Sequence, residues 1–322
     1  MKNLSLIENQ IAIKFIKDKF ESLLAKKLNL VRVSAPLFVS EKTGLNDNLN
    51  GVEERVSFYV KDEKLEIVQS LAKWKRYALG HYKFPKDVGL YTDMNAIRKD
   101  EVMDNLHSIY VDQWDWEKII DESNRNKRYL FNVVSKIYSV IYKLASIMEK
   151  QYGFSYDLPK KITKISTKQL EKMYPDKSPK ERENIIAREY KAVFVYGIGW
   201  PLKNKLPHDG RAADYDDWKL NGDIIVYDKA LDIALELSSM GIRVNKDSLV
   251  KQLKAKGELS KLDNPYCKAI LNDELPLTIG GGIGQSRLCM YYLQKEHIGE
   301  VQSSYWDEAN LELAKEKGLK LL

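Results

Sequence analysis

The chain has 322 residues, 44% of them hydrophobic, enough to bury a large core in one domain or two. Its 52 basic and 46 acidic side chains leave a net charge of +6, but they are interspersed, without the clustering that a nucleic-acid footprint requires. Two cysteines, Cys267 and Cys289, lack metal-ligand spacing and cannot build a disulfide framework, so a reducing compartment is expected and the cytoplasm is the default location.

At the N-terminus Glu8, Lys14, Lys17 and Asp18 interrupt what a signal peptide would need as an unbroken apolar run, and no segment is expected to span a bilayer. Ile7, Ile11, Phe15, Ile16, Phe20, Leu23, Leu24 and Leu28 recur at helical spacing and predict a long amphipathic helix. An extended piece follows at 30–33, ended by Pro36. Residues 55–60 alternate and 65–68 are apolar, which predicts a hairpin turning at Lys61-Asp-Glu-Lys64. The stretches 95–101 and 110–116 read as two strands joined by a polar loop. Leu130, Val133, Val134, Ile137, Ile141, Leu144 and Met148 predict a second long helix over 127–149. Ser178-Pro-Lys-Glu181 is a capping box with proline at the first helical position, opening a helix toward Tyr190. Strands are predicted at 192–198, 223–227, 231–235 and 275–279. No linker-like stretch or internal repeat divides the chain, so a single α+β domain over 1–322 is expected, built on a mainly antiparallel sheet flanked by helices.

Several polar clusters stand out against this frame. Gln69-Ser-Leu-Ala-Lys-Trp-Lys-Arg76 sets Lys73 and Lys75 beside a tryptophan, suited to holding a carboxylate; a basic patch on a surface helix would look the same. Gln113 and Asp115 lie between aromatics, where polar groups are costly unless paired, which makes them site candidates. Asp214-Tyr-Asp-Asp217 is a solvated turn or a metal or ammonium site; spacing alone does not choose. Glu236-Leu-Ser-Ser-Met-Gly-Ile-Arg243 ends an apolar strand with an odd mixture of carboxylate, hydroxyls and arginine. Asp223 lies on a neighbouring strand, so it and Glu236 could share a magnesium ion. His81, His107, His208 and His297 form no zinc-like pair and read as structural or surface side chains.

The most telling stretch is Leu277-Thr-Ile-Gly-Gly-Gly-Ile-Gly-Gln-Ser-Arg-Leu288, in which glycines run between an apolar strand and an amphipathic helix carrying an arginine. Gln285 or Arg287 stands where a dinucleotide fingerprint needs its third glycine, and no Gly-Lys-Ser/Thr follows. A nucleotide pocket, with Arg287 stacked on a purine or forked onto phosphate, and a plain glycine turn both fit.

Taken in order, the long helix with Leu30-Val-Arg-Val-Ser-Ala-Pro-Leu37, Ile97-Arg-Lys-Asp-Glu101 with its return strand, and the glycine-arginine segment resemble the three signatures of the class II aminoacyl-tRNA synthetase catalytic core. With Ser70-Leu-Ala-Lys-Trp-Lys-Arg76, Val111-Asp-Gln-Trp-Asp-Trp116, Asp214-Tyr-Asp-Asp-Trp218, Leu220-Asn-Gly-Asp223 and the 236–243 block, the chain is more closely similar, over nearly its whole length, to the ammonia-dependent asparagine synthetase family. That resemblance implies ATP-dependent synthesis of asparagine from aspartate and ammonia through a β-aspartyl-adenylate, with AMP and pyrophosphate released and Mg2+ required. It implies that Arg98 grips the α-phosphate, that Arg287 stacks on adenine, and that His107, Gly282 and Gly284 also lie on the nucleotide side. Asp223 and Glu236 become metal or ribose-side ligands. Lys75 and Arg243 are expected to hold substrate carboxylates, and Gln113, Ser238, Ser239 and Asp47 to complete the substrate site. Asp115 or Asp216 is the expected base for ammonium. A homodimer through the first helix and strand is implied. No cysteine near the N-terminus offers a glutaminase nucleophile and no anticodon-binding module precedes Met1, so neither glutamine nor tRNA is an expected partner. One departure is that only Lys219 separates Trp218 from Leu220, where the family pattern is longer, which puts a loop near the site in doubt.

Overall fold

The computed structural model describes residues 4–47, 49 and 53–322. Helix α1 (Leu6–Leu28) starts at a Ser5/Glu8 capping box and stops at Asn29 in the left-handed conformation. Strands β1 (Leu30–Arg32) and β2 (Phe38–Ser40) follow, then the hairpin β3 (Ser57–Val60) and β4 (Glu63–Ile67), turning where the charged tetrapeptide predicted. Next come α2 (Ala72–His81), β5 (Gly89–Ile97), β6 (Tyr110–Ile119) and α3 (Lys127–Tyr152). The second half runs β7 (Thr163–Ser166), α4 (Thr167–Met173), α5 (Pro179–Tyr190), β8 (Ala192–Tyr196), β9 (Asp216–Asp228), β10 (Ile233–Arg243), α6 (Lys246–Lys256), α7 (Pro265–Leu271), β11 (Thr278–Gly284), α8 (Gln285–Leu293) and α9 (Glu308–Glu316).

Eight strands form one sheet in the order β1-β5-β6-β11-β10-β9-β8-β7, and β2-β4-β3 form a small second sheet. The six inner strands of the large sheet are antiparallel, while β1 on β5 and β7 on β8 are parallel. This is the expected α+β architecture. The main core lies on one face, where α1, α3 and α8 cover Trp114, Trp116, Met240, Ile242, Ile279 and Ile283.

Four readings of the sequence are corrected. The glycines of 280–284 are strand residues of β11, none with positive φ, so they serve close approach and not a turn. Strand β9 begins at Asp216, inside the acidic cluster, so Asp216 and Asp217 are strand and no solvated turn, with Asp214 and Tyr215 just ahead of it; β10 continues through Arg243, so the 236–243 run is strand and not a strand end. Helix α2 is no surface helix: Lys73, Trp74, Lys75 and Arg76 are all buried. Finally, α3 is by length and composition long and apolar enough to cross a membrane. Its apolar stripe instead faces the sheet, and Leu130, Val134, Ile137, Ile141, Leu144 and Met148 are fully buried there. The outer face of α1 departs from its pattern too, with Ile7 74% and Ile11 59% exposed.

Gly281 faces the core side of β11, where an added Cβ would lie 2.6 Å from the Met240 Cβ and 2.6 Å from the Ser239 carbonyl oxygen. Neither can retreat without disturbing the ladder. Gly281→Ala should therefore lower stability by about 1–3 kcal/mol, the cost of overpacking a close-packed interior, read as a lower urea midpoint at unchanged slope; an unmoved midpoint contradicts this packing.

Candidate active site

Strand periodicity builds the floor of the site. Side chains alternate across a strand, so Gln113, Asp115 and Glu117 of β6 share one face while Trp114 and Trp116 turn to the core, Trp114 lying 4.9 Å from the Phe20 ring. In β11 the register sets Gly280, Gly282 and Gly284 beside Glu117, Asp115 and Gln113. A Cβ on Gly280 would strike the Glu117 carboxylate and come within 2.7 Å of Arg243 Nη2, and one on Gly282 would strike Gln113 Oε1. Gly241 of β10 makes the same room for Asp216, whose Oδ1 would lie 2.7 Å from an added Cβ. The glycines clear a floor for polar side chains of neighbouring strands.

On that floor Arg243, 2% exposed, donates through Nε and Nη2 to Glu117 at 2.9 and 2.6 Å, and through Nη1 to Asp216. Burial opposes its charge, but the two carboxylates prevail and hold its pKa well above the usual value. Lys75 reaches in from α2 to Asp115 Oδ1 and to the Gly281 carbonyl at 3.0 Å. Burial pushes the Lys75 pKa down, against Asp115 and with the Arg243 charge adding to the effect. Asp115 Oδ2 is buried with no partner among the described residues. Burial also raises the Asp216 pKa, against the pull of Arg243.

These groups open into a cavity of about 610 Å³. Arg98, just beyond β5, and Arg287, in the first turn of α8, also line it. Arg98 donates to the Gln69 carbonyl through Nε and Nη2 at 3.4 Å each, and Arg287 to the Glu236 carbonyl at 3.2 Å. Those partners carry no formal charge. The start of α8 is fixed by Asp112, which accepts from the Ser286 amide at 3.0 Å and from Lys17 of α1 at 2.9 Å. Ser238, Ser239, Glu236 and Gln113 line the cavity, as do Gly282, Gly284 and His107, whose Nδ1 lies 2.9 Å from Asp104. A bulge between Glu236 and Ser238 breaks the alternation of β10 and explains the odd run of polar residues there. Ser238 Oγ is buried without a partner among the described residues.

Two expected site residues stand one layer back. Asp223 is paired with Arg211, a cavity residue that also pairs with Asp209, and its Oδ1 has no partner among the described residues. Burial pushes the Asp223 pKa up to about 8, against Arg211 and with the nearby Glu236 charge adding. Asp47 is buried beside the ion pair of Lys73 and Asp214, whose atoms lie 2.6 Å apart. Among the described residues no three His, Cys, Asp or Glu side chains gather to hold a metal by themselves.

Glu117, Arg211 and Asp112 are additions to the residues foreseen, while Lys73 holds the carboxylate of Asp214. Glu117 was in reach, since the alternation that selects Gln113 and Asp115 extends one step further to it. Arg211 lies in a loop with no local pattern to mark it.

The family model described as aspartate-ammonia ligase matches residues 7–318. The chain belongs to that family. It is an enzyme of asparagine synthesis from aspartate and ammonia. The aspartate-ammonia ligase of Mycoplasmoides gallisepticum is 53% identical over 327 residues, covering 100% of both chains. That of Clostridium tetani is 55% identical over 323 residues, covering 99% of this chain and 95% of the relative. Among solved structures, the Pyrococcus horikoshii asparaginyl-tRNA synthetase complexed with asparaginyl-adenylate superposes with a TM-score of 0.67 at 15% identity, over 91% of this chain and 68% of that one. An Entamoeba histolytica aspartyl-tRNA synthetase gives 0.61 at 16% identity, over 94% of this chain and 59% of that one. The ligase family therefore shares the class II aminoacyl-tRNA synthetase fold.

Removing one partner of a buried ion pair strands the other charge, at a typical cost of about 3–5 kcal/mol. Glu117→Ala would leave Arg243 with Asp216 as its remaining carboxylate partner and should cost up to that much in chemical denaturation; a variant as stable as the parent contradicts the clamp.

Proposed function

We propose that asparagine forms here in two steps. The aspartate side-chain carboxylate attacks the α-phosphorus of ATP, giving a β-aspartyl-adenylate and pyrophosphate. Ammonia then attacks the acyl carbon, and AMP leaves with the bonding electrons. A carboxylate has no leaving group worth displacing, and adenylation supplies one.

What supports this reading is one cavity holding two kinds of cation. Arg98 and Arg287 are held through carbonyls, so their charge is open to phosphate, and Arg98 offsets the charge that builds on the pentacoordinate phosphorus. Lys75 and Arg243 are locked to carboxylates and place the substrate carboxylates. Asp115 and Asp216 lie beside them, and a carboxylate whose pKa is raised by burial is the better proton acceptor from ammonium. We assign Asp216 that role, with Asp115 on the α-ammonium of aspartate. Glu236, and Asp223 through its unpartnered Oδ1, fit a magnesium ion that also takes phosphate oxygens, as magnesium does where few protein ligands are present. When bound, it would neutralise phosphate charge.

The test is incubation with ATP, magnesium and aspartate, with ammonium or glutamine supplied separately. Asparagine and AMP should appear in equal amounts from ammonium alone. Asparagine accompanied by ADP sinks the adenylate route, and equal use of glutamine sinks the ammonia assignment.

We also infer a homodimer. Ile7, Ile11, Val31 and Leu37 expose apolar side chains along α1, β1 and the segment after them, and a two-fold contact would cover them. Sedimentation should give about twice the chain mass at micromolar concentration, and a monomer throughout contradicts the pairing.

A further inference from the structure

We propose that Lys17 and Asp112 form a positioning pair that aims Arg287 at the nucleotide, the Asp112 carboxylate supplying from β6 the cap that α8 lacks. The inference rests on the reading of Arg287 as a nucleotide ligand given above.

A helix leaves its first backbone amides without partners, and a Ser, Thr, Asp or Asn just ahead of it ordinarily accepts from one of them. Helix α8 has Gly284 there, with no side chain to do so. The acceptor comes instead from 174 residues away in the chain: Asp112 Oδ1 takes the Ser286 amide at 3.0 Å. A carboxylate at this end of a helix is also favoured by the helix dipole.

The first turn of α8 is tied to three strands at three successive residues. Gln285 Nε2 donates to Asp93 Oδ1 of β5 at 3.0 Å, the Ser286 amide to Asp112 of β6, and Arg287 Nη1 to the Glu236 carbonyl of β10 at 3.2 Å. The outer two ties hold side chains. The middle one holds the backbone from which the Arg287 side chain springs, and a side chain that long magnifies any tilt of its base.

Asp112 is held in turn on its other oxygen, where Lys17 Nζ of α1 lies 2.9 Å from Oδ2. Gln302 closes the group, its Nε2 donating to Asp112 Oδ1 at 3.3 Å and to Ser286 Oγ at 3.1 Å. Asn9, earlier on α1, donates to the Glu300 carbonyl at 2.7 Å and so steadies the segment that carries Gln302. Asp112, Ser286 and Gln302 are all buried, whereas the Lys17 side chain is 29% exposed. Helix α1 therefore reaches the nucleotide arginine through one ion pair and one capping bond, without lining the cavity itself.

The experiment measures kcat and the KM for ATP, aspartate and ammonium in Asp112→Ala, Lys17→Met and Arg287→Ala, and in the two doubles that add Arg287→Ala to each of the others. Asp112→Ala should raise the KM for ATP about tenfold, the scale of losing a hydrogen bond to a charged group, and leave the KM for aspartate and for ammonium near the parent values. Lys17→Met should move the KM for ATP in the same direction. Arg287→Ala should raise it as well, and on that background neither second change should raise it further, since the pair acts through Arg287. Asp112 lines the cavity beside Arg287, so a direct contact with the nucleotide is the rival account; it makes the increases multiply in the double, as a general loosening of the fold also would, and that result overturns the proposal. An Asp112→Ala enzyme with the parent KM for ATP overturns it equally. Should Asp112→Ala not fold, Lys17→Met, at a part-exposed side chain, decides alone, and an unmoved KM for ATP there counts against the pair. A parent KM for ATP in Arg287→Ala would instead bring down the nucleotide role of Arg287 itself.

Discussion

Everything at the site depends on keeping ionised side chains inside a protein at close to zero net cost. A charge taken out of water is tolerated only with a partner and good hydrogen bonds, and here Arg243, Lys75 and Lys73 are each drawn to a carboxylate on another element. Arg243 of β10 bridges Glu117 of β6 and Asp216 of β9. Lys75 ties α2 to β6, and Lys73 ties α2 to the segment ahead of β9. The chemistry and the attachment of α2 to the sheet are therefore the same set of bonds. The protein holds preorganised charge at the cavity floor without a separate scaffold for it.

The side of the cavity proposed to take the nucleotide obeys a different rule. Phosphate brings its own negative charge, so guanidiniums meant for it gain from having no acid partner beforehand. Arg98 and Arg287 donate to carbonyls, which orient without neutralising. The contrast between cations locked to acids and cations resting on carbonyls divides the cavity more clearly than any list of residues.

Much of this was legible in the chain. Helical spacing marked α1 and α3, the charged tetrapeptide marked the β3–β4 turn, and the chain order of the motif blocks pointed to the fold and family. What stayed hidden depended on packing between distant segments. The glycines of β11 look like a turn because glycine is usually read as conformational freedom, whereas Gly280, Gly281 and Gly282 are small because a carboxylate, a neighbouring strand and an amide occupy their side-chain space. Strand β10 was cut short because a bulge scrambles its alternation. Lys73 and Lys75 could be a solvated patch until Asp214 and Asp115, far away in sequence, are brought against them. Ile7 and Ile11 fit the apolar stripe of α1 by spacing, and only the packed helix shows that they face outward.

The cleared floor also bears on how tolerance to change is distributed along the chain. At Gly280 and Gly282 even the smallest addition, one methyl group, collides with the Glu117 carboxylate or the Gln113 amide on the cavity floor. A survey of tolerated substitutions would thus rank these positions among the least permissive in the molecule, alongside Arg243 and Asp115, although they contribute no reactive group of their own. Intolerance at such places records the space a neighbour needs, and mapping it would outline the shape of the substrate floor in negative, as a mould records a casting.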